Sequence, residues 1–480
     1  MKHKQPEKRN WTIYYTNYSG VEKRAVELVS REMGTFTVRD PGVYCVHVLP
    51  VQKFVGEITG NAVIIGTFDS DPIFAKYIDR VQVPENGYVL CVTDNSEMLD
   101  AQLVLLCGDT SAAVWYAAVH FVDDYMAYSA PVRGGLFMPE EVFMGKLRPC
   151  SIACAPKAKT RSVFTWGHPI NDFRKCIQTL ARLRFNQIIV WNDYLPVNAE
   201  EFVAYAHSYG IEVIWGFAWG WLPNCSQTDI SQLEQIRENV LKTYKTVYKG
   251  KGDGIYFQSF TELDSETLQG KLIAEVVTDF VNETAAALLE EEPGLLLQFG
   301  LHANSVKKHA EHFKRLDPRV QIIWENCGVF PYSHNMDQTE DAKAETLAFT
   351  REILAQRPEV PVGMVFKGLL KQDWPYFEHQ AGPYILGDAS PETVKKDMDM
   401  FTPMMRFLQS EWMTKGEFAH TLANELISHA TADLHLCIAS HIADTPWYPL
   451  ALCAEILWDP TRTYQEIISA VSRRRWVVMA

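Results

Sequence analysis

The chain has 480 residues, of which 47% are hydrophobic and 22% are charged, with no low-complexity tract. These values are typical of a globular protein long enough for two or three domains. The formal net charge of -14 at pH 7 argues against a protein that binds nucleic acid. Proteins that bind polyanions usually present a basic surface, so we expect no nucleic-acid partner.

The sequence also predicts a compartment. No uncharged apolar stretch is long enough to span a bilayer, so we expect no membrane association. Residues 1–10 are basic but lack the apolar core of a signal peptide, and the ten cysteines are scattered. A reduced, cytoplasmic setting is therefore predicted. Cys150 and Cys154 have no second cysteine or histidine pair, so we expect no metal site, and we expect no cofactor. Whether the chain forms a homo-oligomer stays open.

Residues 11–146 are predicted to form a small α/β domain. The pattern combines uninterrupted apolar runs, typical of buried strands, with apolar residues at helical spacing. Residues 147–159 contain two prolines and several small residues, which predicts a linker. The predicted elements of this domain are a helix at 21–33, strands at 61–67, 87–93 and 102–108, and a helix at 112–128.

Beyond residue 159, short apolar strands alternate with longer amphipathic helices, a pattern typical of a parallel sheet. Seven strand–helix units within roughly two hundred residues favour a (β/α)8 TIM barrel. The alternative is an open doubly wound sheet, but no Gly-x-Gly-x-x-Gly follows a strand. The barrel is predicted over 160–389, with Pro383–Leu386 as its eighth strand, and a helical C-terminal region over 390–480. The first seven strands are predicted at Ser162–Trp166, Gln187–Asn192, Glu212–Phe217, Gly254–Gln258, Leu295–Gly300, Val320–Trp324 and Val362–Lys367.

Polar and aromatic side chains are concentrated at the C-terminal ends of these strands, where the active site of a (β/α)8 barrel is built. Aromatic faces match the apolar faces of a pyranose, and amide, carboxylate and imidazole groups match its hydroxyls. A single tryptophan there is readily explained by core packing, but the recurrence from strand to strand favours a carbohydrate site. The residues predicted to bind substrate are Trp166, His168, Trp191, Asn192, Asp193, Trp219, Gln258, His302, Trp324, Lys367, Asp373, Trp374 and Glu378.

Two glutamates supply the predicted chemistry. Glu262 follows the fourth strand and Glu325 the sixth, so we expect them to face one another across the barrel mouth. Glycoside hydrolysis needs an acid to protonate the leaving oxygen and a second carboxylate as nucleophile or base. We predict Glu262 as general acid/base and Glu325 as nucleophile or base. The alternatives for the second role are Asp193, Asp373 and Glu378.

Other classes of function fit less well. A metal-dependent barrel hydrolase would have a His-x-His after the first strand, where this chain has Trp166-Gly167-His168. A serine hydrolase would have a Gly-x-Ser-x-Gly elbow, which is absent. A catalytically silent sugar-binding protein would keep the aromatic rim, but it has no need of two facing glutamates.

The predicted architecture resembles glycoside hydrolases of families 20, 67, 84, 89 and 115, which include β-hexosaminidases, α-glucuronidases and α-N-acetylglucosaminidases. Residues 61–67 and 87–116 are similar to the non-catalytic N-terminal domain of these enzymes. In the α-glucuronidases, an Asn-Ser-Glu-Gly segment after the fourth strand carries the general acid. The segment Phe257-Gln-Ser-Phe-Thr-Glu262 resembles it, which implies the acid role for Glu262.

The catalytic signatures of single families match only in part. Family 20 enzymes have Asp-Glu where this chain has Thr261-Glu262, so the resemblance does not imply their acetamido-assisted mechanism. The adjacent aspartates of family 84 are absent, whereas the two glutamates of the α-N-acetylglucosaminidases are compatible with Glu262 and Glu325. The resemblance implies an exo-acting, N-acetylhexosaminidase-like enzyme on non-reducing ends of short oligosaccharides or glycoconjugates. The alternative is an α-glucuronidase-like enzyme in which Lys367 holds an acidic sugar.

Overall fold

The chain divides into two compact units, one of residues 1–156 with 207–210 and the other of 157–206 with 211–480. Within the described ranges, no helix is both long enough and apolar enough to cross a membrane. The computed structural model describes residues 11–36, 49–58, 60–96, 101–126, 132–133, 136–137, 147–165, 170–192, 194–220, 229–325, 340–366, 382–429, 433–439 and 444–480.

The first unit is built on a six-stranded sheet. Its strands are β1 Trp11–Tyr15, β2 Val51–Lys53, β3 Asn61–Thr67, β4 Tyr88–Asp94, β5 Gln102–Gly108 and β8 Cys150–Cys154, beside a short hairpin of β6 Val132–Arg133 and β7 Leu136–Phe137. The order across the sheet is β2-β1-β3-β5-β4-β8, and β4 runs antiparallel to both of its neighbours. The helices are α1 Gly20–Phe36, α2 Pro72–Tyr77 and α3 Ser111–Val119, with a π-helical continuation His120–Tyr125 and 3-10 turns Phe68–Ser70 and Arg80–Gln82.

The predicted strands and helices of this unit are present, but the linker prediction was wrong at its centre. Cys150–Cys154 is an edge strand that pairs with β4, so the sheet extends beyond residue 146. Central strands such as β5 are buried along their whole length and therefore appear in the sequence as continuous apolar runs. The edge strand alternates half-buried and exposed residues, so it carries no such run.

The second unit is a closed barrel of parallel strands. In order around it they are β9 Thr160–Phe164, β10 Gln187–Trp191, β11 Glu212–Gly216, β12 Gly254–Gln258, β15 Leu296–Leu301, β16 Val320–Glu325, β17 Val362–Phe366 and β18 His435–Ala439, and a hairpin of β13 Thr267–Leu268 and β14 Lys271–Leu272 follows β12. The helices are α4 Phe173–Arg182, α5 Ala199–His207, α6 Leu233–Thr243, α7 Ile273–Glu291, α8 Glu340–Gln356, α9 Pro391–Lys415, α10 Glu417–His429, α11 Tyr448–Trp458 and α12 Tyr464–Ser472. Shorter helical segments are Ile230–Gln232, Tyr244–Tyr248 and Lys307–Arg315, the last in the place of a helix between β15 and β16.

The (β/α)8 barrel prediction is confirmed, but its eighth strand was wrong. Pro383–Leu386 is not a strand, and the barrel closes through His435–Ala439, which pairs with β17 and β9. The boundary predicted at residue 389 therefore separates the closing strand from its barrel, and 390–480 is not purely helical. The closing strand is only five residues long and lies shortly after α10, so its brief apolar run was included in the region predicted to be helical.

The barrel interior is filled in layers. At its N-terminal end, Gln298 donates to Gln187 at 2.9 Å, and His435 Nδ1 donates to Gln321 Oε1 at 2.7 Å. Burial lowers the pKa of His435 to about 3, so this imidazole is neutral. The next layer toward the C-terminal end is apolar and contains Phe164, Ile189, Trp191, Ile214, Tyr256, Ile323 and Val365. The interior is therefore packed up to the level of the C-terminal strand ends.

Candidate active site

A buried carboxylate lies at the C-terminal end of the barrel. Glu325 is the last residue of β16, and its side chain is 0% exposed. Its Oε1 accepts hydrogen bonds from the Tyr256 hydroxyl and from Gln258 Nε2, the latter at 2.6 Å. Its Oε2 lies 2.6 Å from Nε2 of His302. Two hydrogen-bond donors at one oxygen and an imidazole nitrogen beside the other are partners suited to an ionised carboxylate.

Gly300 on β15 leaves the space for this arrangement. A Cβ atom at this position would overlap the Tyr256 hydroxyl and would lie 2.9 Å from Glu325 Oε1. Because close packing leaves few voids in a protein interior, the hydroxyl and the carboxylate occupy the volume that a side chain at position 300 would fill. The glycine is therefore a structural requirement of the polar group above it.

His302 connects Glu325 to Glu262. It follows β15 directly and is buried, with Nε2 against Glu325 and Nδ1 3.3 Å from Glu262 Oε1. The side chain of Glu262 is 28% exposed, whereas that of Glu325 is 0% exposed. Of the two carboxylates, Glu262 is thus the one that a molecule in the barrel mouth can reach.

The loop that carries Glu262 is fixed on both sides. The carbonyl oxygen of Thr261 accepts hydrogen bonds from the backbone N–H of Ser305 at 3.1 Å and from its hydroxyl at 2.7 Å. On the other side, the Ser259 hydroxyl donates to the Trp219 carbonyl at 2.8 Å. These bonds tie the segment after β12 to the loops after β15 and β11, so Glu262 is held on a rigid support.

Hydrogen-bond polarity constrains the protons of this site. An ionised Glu325 carboxylate is an acceptor, so its 2.6 Å contact with Nε2 of His302 favours a hydrogen on that nitrogen. Gln258 Nε2, 3.0 Å from the same ring nitrogen, is an amide donor and would instead donate to an Nε2 without hydrogen. With the hydrogen on Nε2, either a protonated Glu262 donates to Nδ1 of neutral imidazole or an imidazolium donates to the Glu262 carboxylate; with it on Nδ1, the neutral ring donates to that carboxylate. One proton is therefore shared between Glu262 and His302.

The prediction that the two glutamates face one another across the mouth was wrong. β12, β15 and β16 are consecutive in the barrel, so the glutamates lie on one side of it, with the imidazole of His302 between their carboxylates. A sugar ring cannot occupy that gap in this arrangement. Glu325 would have to leave its three partners to act directly on a substrate.

Two predicted substrate-binding tryptophans belong to the core. Trp219 is 0% exposed and stacks on Phe257 with ring centroids 3.5 Å apart. Trp324 donates from Nε1 to the Thr350 hydroxyl at 3.2 Å and contacts Phe349, both residues of α8. Because neighbouring residues of a strand point to opposite faces, Trp324 points outward where Glu325 points inward. Both assignments are corrected to packing residues.

Other residues that were predicted to bind substrate do lie at the C-terminal end of the barrel. Trp191 is 7% exposed and packs edge-on against Tyr256, at the end of β10. Asn192 donates from its amide nitrogen to the Tyr384 hydroxyl, and its buried Oδ1 has no hydrogen-bond partner within the described ranges. That oxygen can accept from a sugar hydroxyl. The predicted residues that fall outside the described ranges are Trp166, His168, Asp193, Lys367, Asp373, Trp374 and Glu378.

Sequence reasoning missed Tyr256 because it considered only the residues at strand ends. The signal was available, since period-2 alternation along 254–258 places Tyr256 on the same face as Gln258.

No set of three or more His, Cys, Asp or Glu side chains in the described part of the chain is placed to hold a metal ion. The described polar groups of the site are thus suited to holding and transferring a proton.

No model of a known protein family matches the sequence, and no curated protein matches it. Among solved structures, the chain is similar to CpGH84D, with 10% identity and a TM-score of 0.44 over 74% of this chain and 57% of that one. It is also similar to a GH138 enzyme targeting pectin rhamnogalacturonan II, with 10% identity and a TM-score of 0.50 over 95% of this chain and 51% of that one. The chain thus spans about half the length of these structures. At this identity, the similarity to the GH138 enzyme shows a likeness of fold alone.

Proposed function

We propose that this protein is a glycoside hydrolase with Glu262 as its general acid/base. One observation carries the proposal: Glu262 is a partly exposed carboxyl group at the C-terminal end of the fourth barrel strand, in contact with a buried His302–Glu325 pair. This is the end of a (β/α)8 barrel at which active sites are built. A general acid must carry a proton and reach the leaving group, and Glu262 has both a proton-sharing partner and an exposed face.

In this mechanism, the protonated carboxyl group of Glu262 gives its proton to the glycosidic oxygen. The bond between that oxygen and the anomeric carbon breaks, and its electron pair leaves with the oxygen. If the second carboxylate attacks the anomeric carbon, the Glu262 carboxylate then takes a proton from the water that releases the sugar. If the second carboxylate is a base, it takes that proton itself as the water attacks the anomeric carbon. Because Glu325 is enclosed, the candidates for this second role are Asp193, Asp373 and Glu378.

For the substrate, we propose an exo-acting enzyme on the non-reducing ends of short oligosaccharides or glycoconjugates, similar to the N-acetylhexosaminidases. The support is the resemblance of the N-terminal α/β domain and barrel to that group of enzymes. The Oδ1 of Asn192, at the end of β10, has no hydrogen-bond partner among the described residues and offers an acceptor for a sugar hydroxyl. An acidic sugar is the second substrate class to be tested.

A panel of aryl glycosides tests the proposal. It contains both anomers of N-acetylhexosaminides, hexosides and hexuronides, assayed with the wild type, with Glu262→Gln and with Glu345→Gln. Glu345 is a matched control because its side chain is 69% exposed. We expect Glu262→Gln to lower kcat/KM by about 10²- to 10⁴-fold, the usual contribution of a positioned acid. Calorimetric binding of the corresponding free sugar should be retained. A wild type that cleaves no glycoside, or a fully active Glu262→Gln, contradicts the proposal.

A further inference from the structure

Glu325 was expected to be the nucleophile or base, but its contacts with His302 suggest a different role. We propose that His302, held by Glu325, is a positioning residue that orients Glu262 and shares its proton, and that Glu325 acts through His302 rather than on the sugar. The inference rests on the proposed function, because it explains how the acid/base of that function is held. It rests on contacts and burial on three neighbouring barrel strands.

The first step concerns Glu325, which is enclosed. Its side chain is 0% exposed, and its oxygens are occupied by Tyr256, Gln258 and His302. A nucleophile or base in glycoside hydrolysis must reach the anomeric carbon or a water beside it. An enclosed carboxylate cannot do this, but it can fix the hydrogen position and the ring orientation of a histidine, as an orienting carboxylate does in acyl transfer.

The second step concerns His302, whose two ring nitrogens have different partners. Glu325 faces Nε2 at 2.6 Å and Glu262 faces Nδ1 at 3.3 Å. In this proposal the hydrogen lies on Nε2, toward Glu325, so that Nδ1 of the neutral ring is an acceptor. It therefore holds Glu262 in the protonated form that a general acid needs. Within the described ranges, the titratable groups facing this ring are Glu262 and Glu325, with Tyr256 behind Glu325.

The third step is energetic. Burying a network of polar side chains costs free energy of desolvation. Apolar side chains of similar volume in the same place often make a protein equally stable or more stable. Here Tyr256, Gln258, His302 and Glu325 are all buried, and Gly300 leaves room for them. The member of the network that reaches the open barrel mouth is Glu262, 28% exposed. A role in holding Glu262 gives this network a function that core packing alone does not require.

Nitrogen NMR of the intact protein labelled with ¹⁵N-histidine tests the contacts without any substrate. Its fourteen histidines are resolved by comparison with His302→Gln. We expect His302 to carry its hydrogen on Nε2, and its ring shifts to change in both Glu325→Gln and Glu262→Gln. The exposed His429 serves as the control, with unchanged shifts. A hydrogen on Nδ1 with bare Nε2, or His302 shifts unaffected by both substitutions, overturns the inference.

Kinetics test the role. Aryl glycosides of the cleaved sugar with a poor and a good leaving group are compared, since only the poor one needs protonation. We expect His302→Gln and Glu325→Gln to lower kcat for the poor leaving group on the order of 10²-fold, with little change for the good one or in KM. Adding either substitution to Glu262→Gln should cause no further loss, because residues that act as one unit are non-additive.

The outcomes separate the inference from the proposed function. If the wild type hydrolyses no glycoside, the proposed function fails, while NMR still decides whether His302 links the two glutamates. If Glu262→Gln shows the leaving-group effect but the His302 and Glu325 variants do not, the inference alone fails. Loss on both leaving groups in Glu325→Ala, restored by azide, identifies Glu325 as the nucleophile or base and overturns it. Should Glu325 variants not fold, Tyr256→Phe removes one donor from the same carboxylate and should show a smaller leaving-group effect.

Discussion

Gly300 is packed directly against the polar side chains of the candidate site. Its missing side chain leaves room for the Tyr256 hydroxyl and for Glu325. We expect Gly300→Ala to lower the free energy of unfolding by about 1–3 kcal/mol, the usual effect of overpacking. Activity should fall as well, because Glu325 and its partners are displaced. Chemical denaturation and kcat measure the two effects.

The matched control is Gly294→Ala. A Cβ atom at Gly294 meets nothing within 4 Å, and its φ is not positive, so we expect no loss of stability or activity. Equal stability of Gly300→Ala and wild type would contradict the packing described around Glu325.

A second residue, His435, predicts a pH dependence of stability. Burial lowers its pKa from 6.5 to about 3, so the unfolded state binds a proton that the folded state does not. Stability from this group is present above pH 6.5 and is lost by up to about 1.4 kcal/mol per pH unit as the pH falls toward 3. We expect His435→Gln to flatten unfolding curves measured across this range. A His435→Gln variant with the same slope as the wild type would contradict the assignment.

At the level of residues, the sequence predicted which polar side chains lie close together better than it predicted their orientations. Glu262, His302, Gln258 and Glu325 are joined in one network because parallel strands bring their C-terminal ends together. Whether a side chain after a strand points inward or outward depends on register, which a single sequence leaves open. This is why Trp219 and Trp324 were assigned to the substrate site instead of the core.

Among the elements, α11 is attached to the barrel by a buried ion cluster. Glu455 on this helix accepts from Arg184, from Arg474 at 2.7 Å and from Arg462 at 2.9 Å, and Arg184 also faces the Trp458 ring. Breaking a buried ion pair leaves uncompensated charge, so we expect Glu455→Gln to lower the free energy of unfolding by about 3–5 kcal/mol.

Denaturant titration measures this loss, and Glu283→Gln is the comparison. Glu283 pairs with Arg237 at 3.0 Å, but its side chain is 62% exposed. Exposed pairs contribute less than about 1 kcal/mol. A Glu455 variant as stable as the Glu283 variant would show that the cluster does not attach α11.

The elements that the sequence predicted correctly are those with one clear hydrophobic pattern. β12 and β5 were placed at their observed ends because a strand buried on both faces is a continuous apolar run. β8 and β18 were missed for different reasons. The first is an edge strand with one exposed face, and the second is a strand of only five residues within the region predicted to be helical.

For the whole molecule, the closing strand decides where the barrel unit ends. Truncation after residue 389 would remove β18 and leave the edges of β17 and β9 unpaired. Unpaired edges and an opened core favour aggregation. We therefore expect a chain of residues 1–389 to be expressed in aggregates, as judged by size-exclusion chromatography and circular dichroism. A monomeric, cooperatively unfolding fragment would contradict the closed barrel.

The most direct test of the central claim, that Glu262 is the general acid of a glycoside hydrolase, is a leaving-group series. Aryl glycosides of the cleaved sugar, spanning a wide range of leaving-group acidity, are assayed with wild type and with Glu262→Gln. We predict a shallow dependence of kcat/KM on leaving-group acidity for the wild type, because the acid assists departure. Glu262→Gln should give a steep dependence, with near-normal rates only for the best leaving groups. Parallel dependences for the two proteins would contradict the claim.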